Sequence, residues 1–151
     1  MASNAWWAYG SEFQVKNGAG FKKVAEVLDI TGPNMAMDSI DVTSQDGSDG
    51  WREFIAGWRD AGEVSVSANW IPAHETQDND GSVDAEGILQ SFEDGAIHDF
   101  RIVTAADGGD GTGKITIGMT GIVTGFGLNL PLTEQAKLDF SIKLTGPVTF
   151  T

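Results

Sequence analysis

The sequence predicts a mainly β fold, a β-sandwich or barrel with one flanking α-helix and long loops. Three observations carry that expectation. Apolar residues alternate with polar ones in several separate segments, the period of a half-buried strand. Twenty glycines are spread among those segments and their turns instead of being gathered in one tract. One stretch alone, around Ile88, has apolar residues at helical spacing. At 151 residues the chain suits one domain with a real core, and no Pro/Ser-rich stretch or internal repeat divides it.

The first ten residues form a short aromatic segment in which Trp6, Trp7 and Tyr9 precede any regular pattern. Rings this large seek a partner, either the core of their own chain or a neighbouring molecule. Phe13 and Val15 then lead to Asn17-Gly18 and Gly20, a hairpin turn signal, with the return strand expected over residues 21–30. From Gly32-Pro33 to about Ala61 the periodicity fades. Four aspartates (Asp38, Asp41, Asp46 and Asp49) precede a crowd of Trp51, Phe54, Ile55 and Trp58. A long segment without clear secondary structure is uncommon inside a compact domain, and this one is too aromatic to be a linker.

Alternation resumes with Val64, Val66, Ala68 and Trp70 facing one way and Ser65, Ser67 and Asn69 the other, and Pro72 ends it. Residues 75–82 are acidic and turn-like. They lead to a helix in which Ala85, Ile88, Leu89 and Phe92 form one stripe, Asp84 and Glu86 occupy the first turn, and Gly95 is the stop. Three strands follow. One runs from about Phe100 to Thr104. The next carries Ile115, Ile117 and Met119, after which the apolar phase moves to Ile122 among glycines, so a bulge is expected there. The last places Leu138, Phe140, Ile142 and Leu144 inward and Lys137, Asp139, Ser141 and Lys143 outward.

Chemistry-bearing motifs are weak. Gly108 to Lys114 has the glycine and lysine spacing of a phosphate-binding loop. However, Ile115 stands where a Ser/Thr would hold Mg²⁺, a strand follows where a helix is needed, and Asp110 would sit in the phosphate cradle. Asp78-Asn79-Asp80-Gly81 begins like a calcium loop, yet aligning Gly81 puts Thr76 and Gly87 at the two end-ligand positions. His74 and His98 are the only imidazoles, and there is no cysteine, so thiolate chemistry and histidine-based metal clusters are excluded. With 22 acidic side chains no carboxylate pair stands out for acid–base work. No enzyme activity and no cofactor are expected. The net charge of −13 argues against nucleic-acid affinity, and no apolar run has the length of a membrane span. The N-terminus lacks the features of a secretory signal, so the protein is expected to be made and kept soluble in cytosol.

The segment without an ordinary role carries a resemblance. Gly32-Pro33, Asp38-Ser39-Ile40-Asp41-Val42-Thr43, Asp49-Gly50-Trp51-Arg52-Glu53-Phe54-Ile55-Ala56-Gly57 and Gly62-Glu63-Val64-Ser65 resemble, in order and spacing, the siphophage tail tube proteins, the family of the phage lambda major tail protein. Leu89 to Arg101 and Gly121 to Phe126 are similar to that family's helix, following strand and Thr/Gly-rich strand, so the resemblance covers about residues 10–147. The stretches at 77–82 and 107–113 fit no part of it.

The resemblance implies a structural subunit of the virion tail, made in the host bacterial cytoplasm. Such subunits form hexameric rings that stack into a tube around a tape measure protein, between tail tip and tail terminator proteins. Viral DNA passes through without specific binding. It further implies that residues 33–61 contact the adjacent ring, with Asp38, Ile40, Asp41, Asp49, Trp51, Arg52, Phe54, Ile55 and Trp58 as inter-subunit contacts. Trp6, Trp7 and Tyr9 would dock as an arm. No C-terminal immunoglobulin-like domain is expected, since the chain stops soon after its last strand. The alternative from another class is a β-sandwich binding module for carbohydrate or protein, with Trp51, Trp58 and Trp70 as an aromatic platform.

Overall fold

A computed structural model describes residues 8–17, 20–47, 50–72, 74, 76–77, 87–104 and 114–151. The elements in chain order are β1 (Glu12–Asn17), β2 (Gly20–Lys23), β3 (Val27–Thr31), β4 (Ala36–Asp41), β5 (Phe54–Asp60), β6 (Glu63–Asn69), α1 (Ile88–Asp94), β7 (His98–Val103), β8 (Thr116–Asn129) and β9 (Lys137–Phe150). Seven strands form one antiparallel sheet in the order β2-β1-β7-β8-β9-β6-β3, and β4 and β5 form a separate two-stranded sheet.

The expected return strand over 21–30 is two strands. β2 and β3 are consecutive in sequence but lie at opposite edges of the seven-stranded sheet, so three residues must cross from one edge to the other. That is feasible only if the sheet rolls round until its edges approach, as in a barrel. Val24, fully buried at the crossing, donates its N–H to the Phe13 carbonyl (2.8 Å), and Asn69 N–H donates to the Glu26 carbonyl (3.0 Å). Glu26 turns the chain with φ +50°, the left-handed region.

A buried amide closes the same corner. The Gln77 side chain donates to the carbonyls of Ala25 (2.8 Å) and Asn69 (2.7 Å) and accepts from Ile71 N–H (2.8 Å). Thr76 Oγ1 accepts from Ala25 N–H at 3.1 Å. The stretch expected to be an acidic turn therefore begins with a polar plug set into the fold.

Alternation put the core where it was expected. Val64, Val66 and Ala68 of β6 and Leu138, Phe140, Ile142 and Leu144 of β9 are all buried, joined by Phe13, Val15, Phe100 and Ile102. Phe13 stacks on Phe100 (centroids 5.9 Å) and meets Phe140 edge-on (5.6 Å), each contact adding about 0.5–1.5 kcal/mol beyond area burial. Trp70 is half-buried against this core.

Helix α1 ends at Gly95 in the left-handed conformation, as its stop signal requires. It buries Ile88 and Ser91, whereas Phe92 is exposed. The apolar stripe is thus narrower than the spacing suggested, because a seven-residue helix offers barely two turns to the sheet. Ala85, Asp84 and Glu86 lie outside the described residues.

β8 carries register shifts at Gly118/Thr120 and Val123/Gly125, the expected irregularity. Its inward phase nevertheless runs unbroken from Met119 through Gly121 to Val123. What looked like a change of phase is a glycine at an inward position, with Ile122 half-buried on the other face. Pro147 is accommodated in β9 because β6 pairs only as far as Lys143, leaving that end of β9 with β8 as its single neighbour.

Candidate assembly surface

The segment from Gly32 to Gly62 is the candidate site. Its described residues form a β-hairpin, and the expectation of an irregular loop is corrected accordingly. The sequence hid the strands because alternation shows only when one face is buried, and every residue of β4 is exposed. β4 and β5 pair in the register Ala36↔Asp60, Met37↔Arg59, Ser39↔Ala56, Ile40↔Ile55 and Asp41↔Phe54, with a shift between Met37 and Ser39.

The root of this arm is held tightly. Gly32 has φ +107°, and a Cβ there would stand 2.5 Å from the Glu63 carbonyl oxygen. Gly62 has φ +79°, and a Cβ there would run into the Asn34 carbonyl. The two chains therefore pass each other at a distance that only glycine permits. Asp60 locks the crossing to the body. It accepts from Gly62 N–H (2.8 Å) and from Lys143 Nζ through both oxygens (3.2 and 3.3 Å), while Leu144 N–H donates to the Gly62 carbonyl (3.0 Å). The Gly62 amide first, and then Lys143, holds the Asp60 carboxyl below the ordinary carboxylate range.

The outer end is pinned by Thr43. Its N–H donates to Asp41 Oδ1 (2.9 Å), and its Oγ1 accepts from Glu53 N–H (2.8 Å). Val42 N–H donates to the Glu53 carbonyl at 2.9 Å. The bonds from Thr43 lower the Asp41 pKa. Arg52 Nη1 lies 3.9 Å from Asp41 Oδ2, an exposed pair of little energetic weight.

The arm exposes its apolar residues. Trp51 is 79% and Trp58 86% accessible, and Met35, Met37, Ile40, Val42, Phe54 and Ile55 are all exposed. Directly opposed residues share a face, so Ile40 and Ile55 lie on one side, and Met37 and Phe54, with Asp41, on the other. A two-stranded hairpin with apolar side chains on both faces is marginal in water by itself, and a patch of this size marks an interaction surface.

The structure thus gathers Asp38, Ile40, Asp41, Trp51, Arg52, Phe54, Ile55 and Trp58 on one projecting hairpin. Asp49 lies outside the described residues, as do Trp6 and Trp7. Tyr9 is exposed in the turn before β1, where it lines a cleft of about 590 Å³ with Val27, Leu28, Ile30 and Ile117. Sequence reasoning missed Met35, Met37 and Val42, which share the arm, and the Asp60–Lys143 clasp. The two methionines flanking Ala36 were the available signal, since flexible apolar side chains suit adaptable surfaces.

No catalytic constellation is assembled among the described residues. His98 Nε2 meets both Asp94 carboxylate oxygens at 3.0 Å, joining the end of α1 to the start of β7. His74 Nδ1 lies 2.9 Å from Thr76 Oγ1 beside the Gln77 plug. No group of His and acidic residues is placed to hold a metal among the described residues. Both the phosphate-loop stretch up to residue 113 and the calcium-like turn at 78–81 lie outside them. Nor is an aromatic platform formed, because Trp70 packs on the body while Trp51 and Trp58 stand on the arm.

Three comparisons set this architecture among known proteins. The family model described as lambda phage tail tube protein matches residues 6–147. No curated protein matches the sequence. Among solved structures, the tail of an empty gene transfer agent particle, refined with C6 helical symmetry, superposes with a TM-score of 0.68 at 20% identity, covering 97% of this chain and 99% of the other. A sheath/tube terminator of an extracellular contractile injection system gives 0.69 at 12% identity, covering 100% and 99%. The SPP1 tail tube gives 0.63 at 7% identity, covering 93% and 75%.

Proposed function

The chain belongs to the lambda phage tail tube protein family, a family of structural proteins and not of enzymes, and from that membership we propose that its copies form hexameric rings stacked into a tube that conducts viral DNA. The observation that carries this reading is the arm, a hairpin whose exposed apolar residues on both faces meet no partner surface among the described residues. A second copy supplies what is missing. Trp51, Phe54, Ile55 and Trp58 bury apolar area at the ring-to-ring contact, flanked by Ile40, Asp38, Asp41 and Arg52, with Asp49, two positions before Trp51 in the sequence, as a further contact. Trp6, Trp7 and Tyr9, near the start of the sequence, make a second docking element. The gene transfer agent tail, sixfold symmetric in its own particle, supports the ring number.

Rings polymerise around a tape measure protein from the tail tip and are closed by a terminator. Ordering many subunits carries an entropic cost, so growth from a nucleating surface is favoured over spontaneous association. At −13 per chain, six copies give 6 × −13 = −78 per ring, and whatever share of that charge faces the lumen repels the phosphates of the passing duplex.

Negative-stain electron microscopy of concentrated protein, alone and with purified tail tips, tests the reading. Rings or tubes of the wild-type chain are expected. Trp51→Ala and Phe54→Ala are expected to abolish them with melting temperature unchanged, because both side chains are exposed in the single chain. Persistent monomers in the presence of tips would defeat the proposal. Equal loss of melting temperature and of assembly would instead place the two rings in the core.

A further inference from the structure

Resting on the tube reading, we infer that the surface receiving the arm is the β8–β9 turn of a copy in the next ring, centred on Leu128, Leu130 and Leu132. Among the described residues these three leucines are exposed apolar side chains close together in sequence and apart from the arm, and Leu132 is wholly accessible. A leucine left entirely in water at the tip of a long, well-paired hairpin contributes nothing to its own fold.

The register places arm and turn at opposite ends of the body. The arm joins the sheet where Glu63 pairs with Lys143 and where Leu144 bonds Gly62, whereas the turn begins where Asn69 and Asn129 both pair with Lys137. Lys137 and Lys143 are six positions apart on β9, about 20 Å along a strand. β3 runs from Val27, opposite Ala68, to Thr31, opposite Ser65, and so enters the arm heading away from the turn.

A chain with complementary surfaces at its two ends makes a heterologous contact that repeats without limit, which is what stacking requires. Arm packing on arm would be two-fold and would stop at pairs.

Size and charge favour the same occupant. The arm's eight exposed apolar side chains present on the order of 800 Å², judged from residues of this size, which matches one partner's share of a standard interface. Arg52 adjoins Trp51, and Glu134 lies two residues beyond Leu132. Among the described residues each makes a long, exposed ion pair within its own chain, Arg52 to Asp41 at 3.9 Å and Glu134 to Lys137 at 3.8 Å. Exchanging those partners across the interface sacrifices little.

The chain's lack of cysteine makes a direct test clean. Tubes assembled from a variant carrying Glu53→Cys and Thr133→Cys, exposed neighbours of the two apolar surfaces, are treated with a short bis-maleimide and run under denaturing conditions. A ladder of trimers, tetramers and higher species is expected from the double variant, with no ladder from either single variant. Should that pair prevent tube formation, Ser44→Cys paired with Thr133→Cys spares every apolar side chain of both surfaces and reads the same contact. Intact tubes that yield no ladder with either pair, or dimers from Glu53→Cys alone, would overturn the inference while leaving the tube reading standing. A wild-type chain that forms no polymer on tail tips would remove both.

Discussion

A buried polar side chain is worth more to this fold than its type suggests. Gln77 is fully buried and makes three hydrogen bonds to backbone groups from two separate stretches: Ala25 at the strand crossing, and Asn69 and Ile71 at and just beyond the end of β6. Gln77→Met keeps the volume but removes all three bonds. An unpaired buried backbone group costs about 1–3 kcal/mol, so a total loss of about 3 kcal/mol is expected in a urea titration, with the m-value unchanged. A loss under about 1 kcal/mol would show that water replaces the amide. Sequence gave no warning here, because glutamine is ordinarily a surface residue and the neighbouring acids argued for a solvated turn. By contrast, Phe140 and Leu138 were legible, since each lies on an inward position of a strand whose alternation is unbroken. Side chains announce themselves when they obey a period, and a single polar plug obeys none.

Among the elements, the hairpin of β4 and β5 is legible in the sequence as an unusual segment but not as a hairpin. Its aromatic and acidic composition marked it for interaction, but two exposed faces erased the period-two pattern that revealed β6 and β9. The crossing from β2 to β3 was equally hidden, for it depends on which edges the rolled sheet brings together, a long-range fact absent from local sequence. How firmly the arm is seated depends on Asp60. Its folded pKa is lowered, so the contribution of its bonds to Gly62 and Lys143 is present above the unfolded value, about 4, and is lost as pH falls through the lower folded value. Amide exchange at Gly62, corrected for the intrinsic pH dependence, is therefore expected to lose protection across that acid window and to stay constant from pH 5 to 8. Asp60→Asn should show the reduced protection already at pH 7. Protection that is independent of pH in the wild-type chain would mean that glycine packing alone fixes the root.

At the scale of the molecule, stability and assembly occupy different parts of the chain. Among the described residues every buried hydrophobic side chain of the core lies in the rolled seven-stranded sheet, its β2–β3 crossing or α1, and none lies on β4 or β5. The arm is attached at a root where Asn34 and Gly62 are in close contact, so the two ends left by its removal are already adjacent. Closing a short loop there carries a small entropic cost. Replacing residues 36–60 by a short Gly/Ser loop should then leave a folded body, with the sheet content of the seven strands and a melting temperature within a few degrees of the parent. It should form neither tubes nor cross-linked ladders at any concentration, and, because its β8–β9 turn is intact, it should cap tubes growing from wild-type subunits. Added in small amounts to an assembly reaction it is expected to shorten the tubes seen by electron microscopy, in proportion to its share of the mixture. A deletion variant that fails to fold would show that the arm stabilises the single chain after all. One that polymerises normally would move the ring-to-ring contact elsewhere on the body. The capping result follows only if one end of each subunit offers the arm and the other receives it, because a chain that has lost one of two unlike ends can still be added to a polymer but cannot be extended.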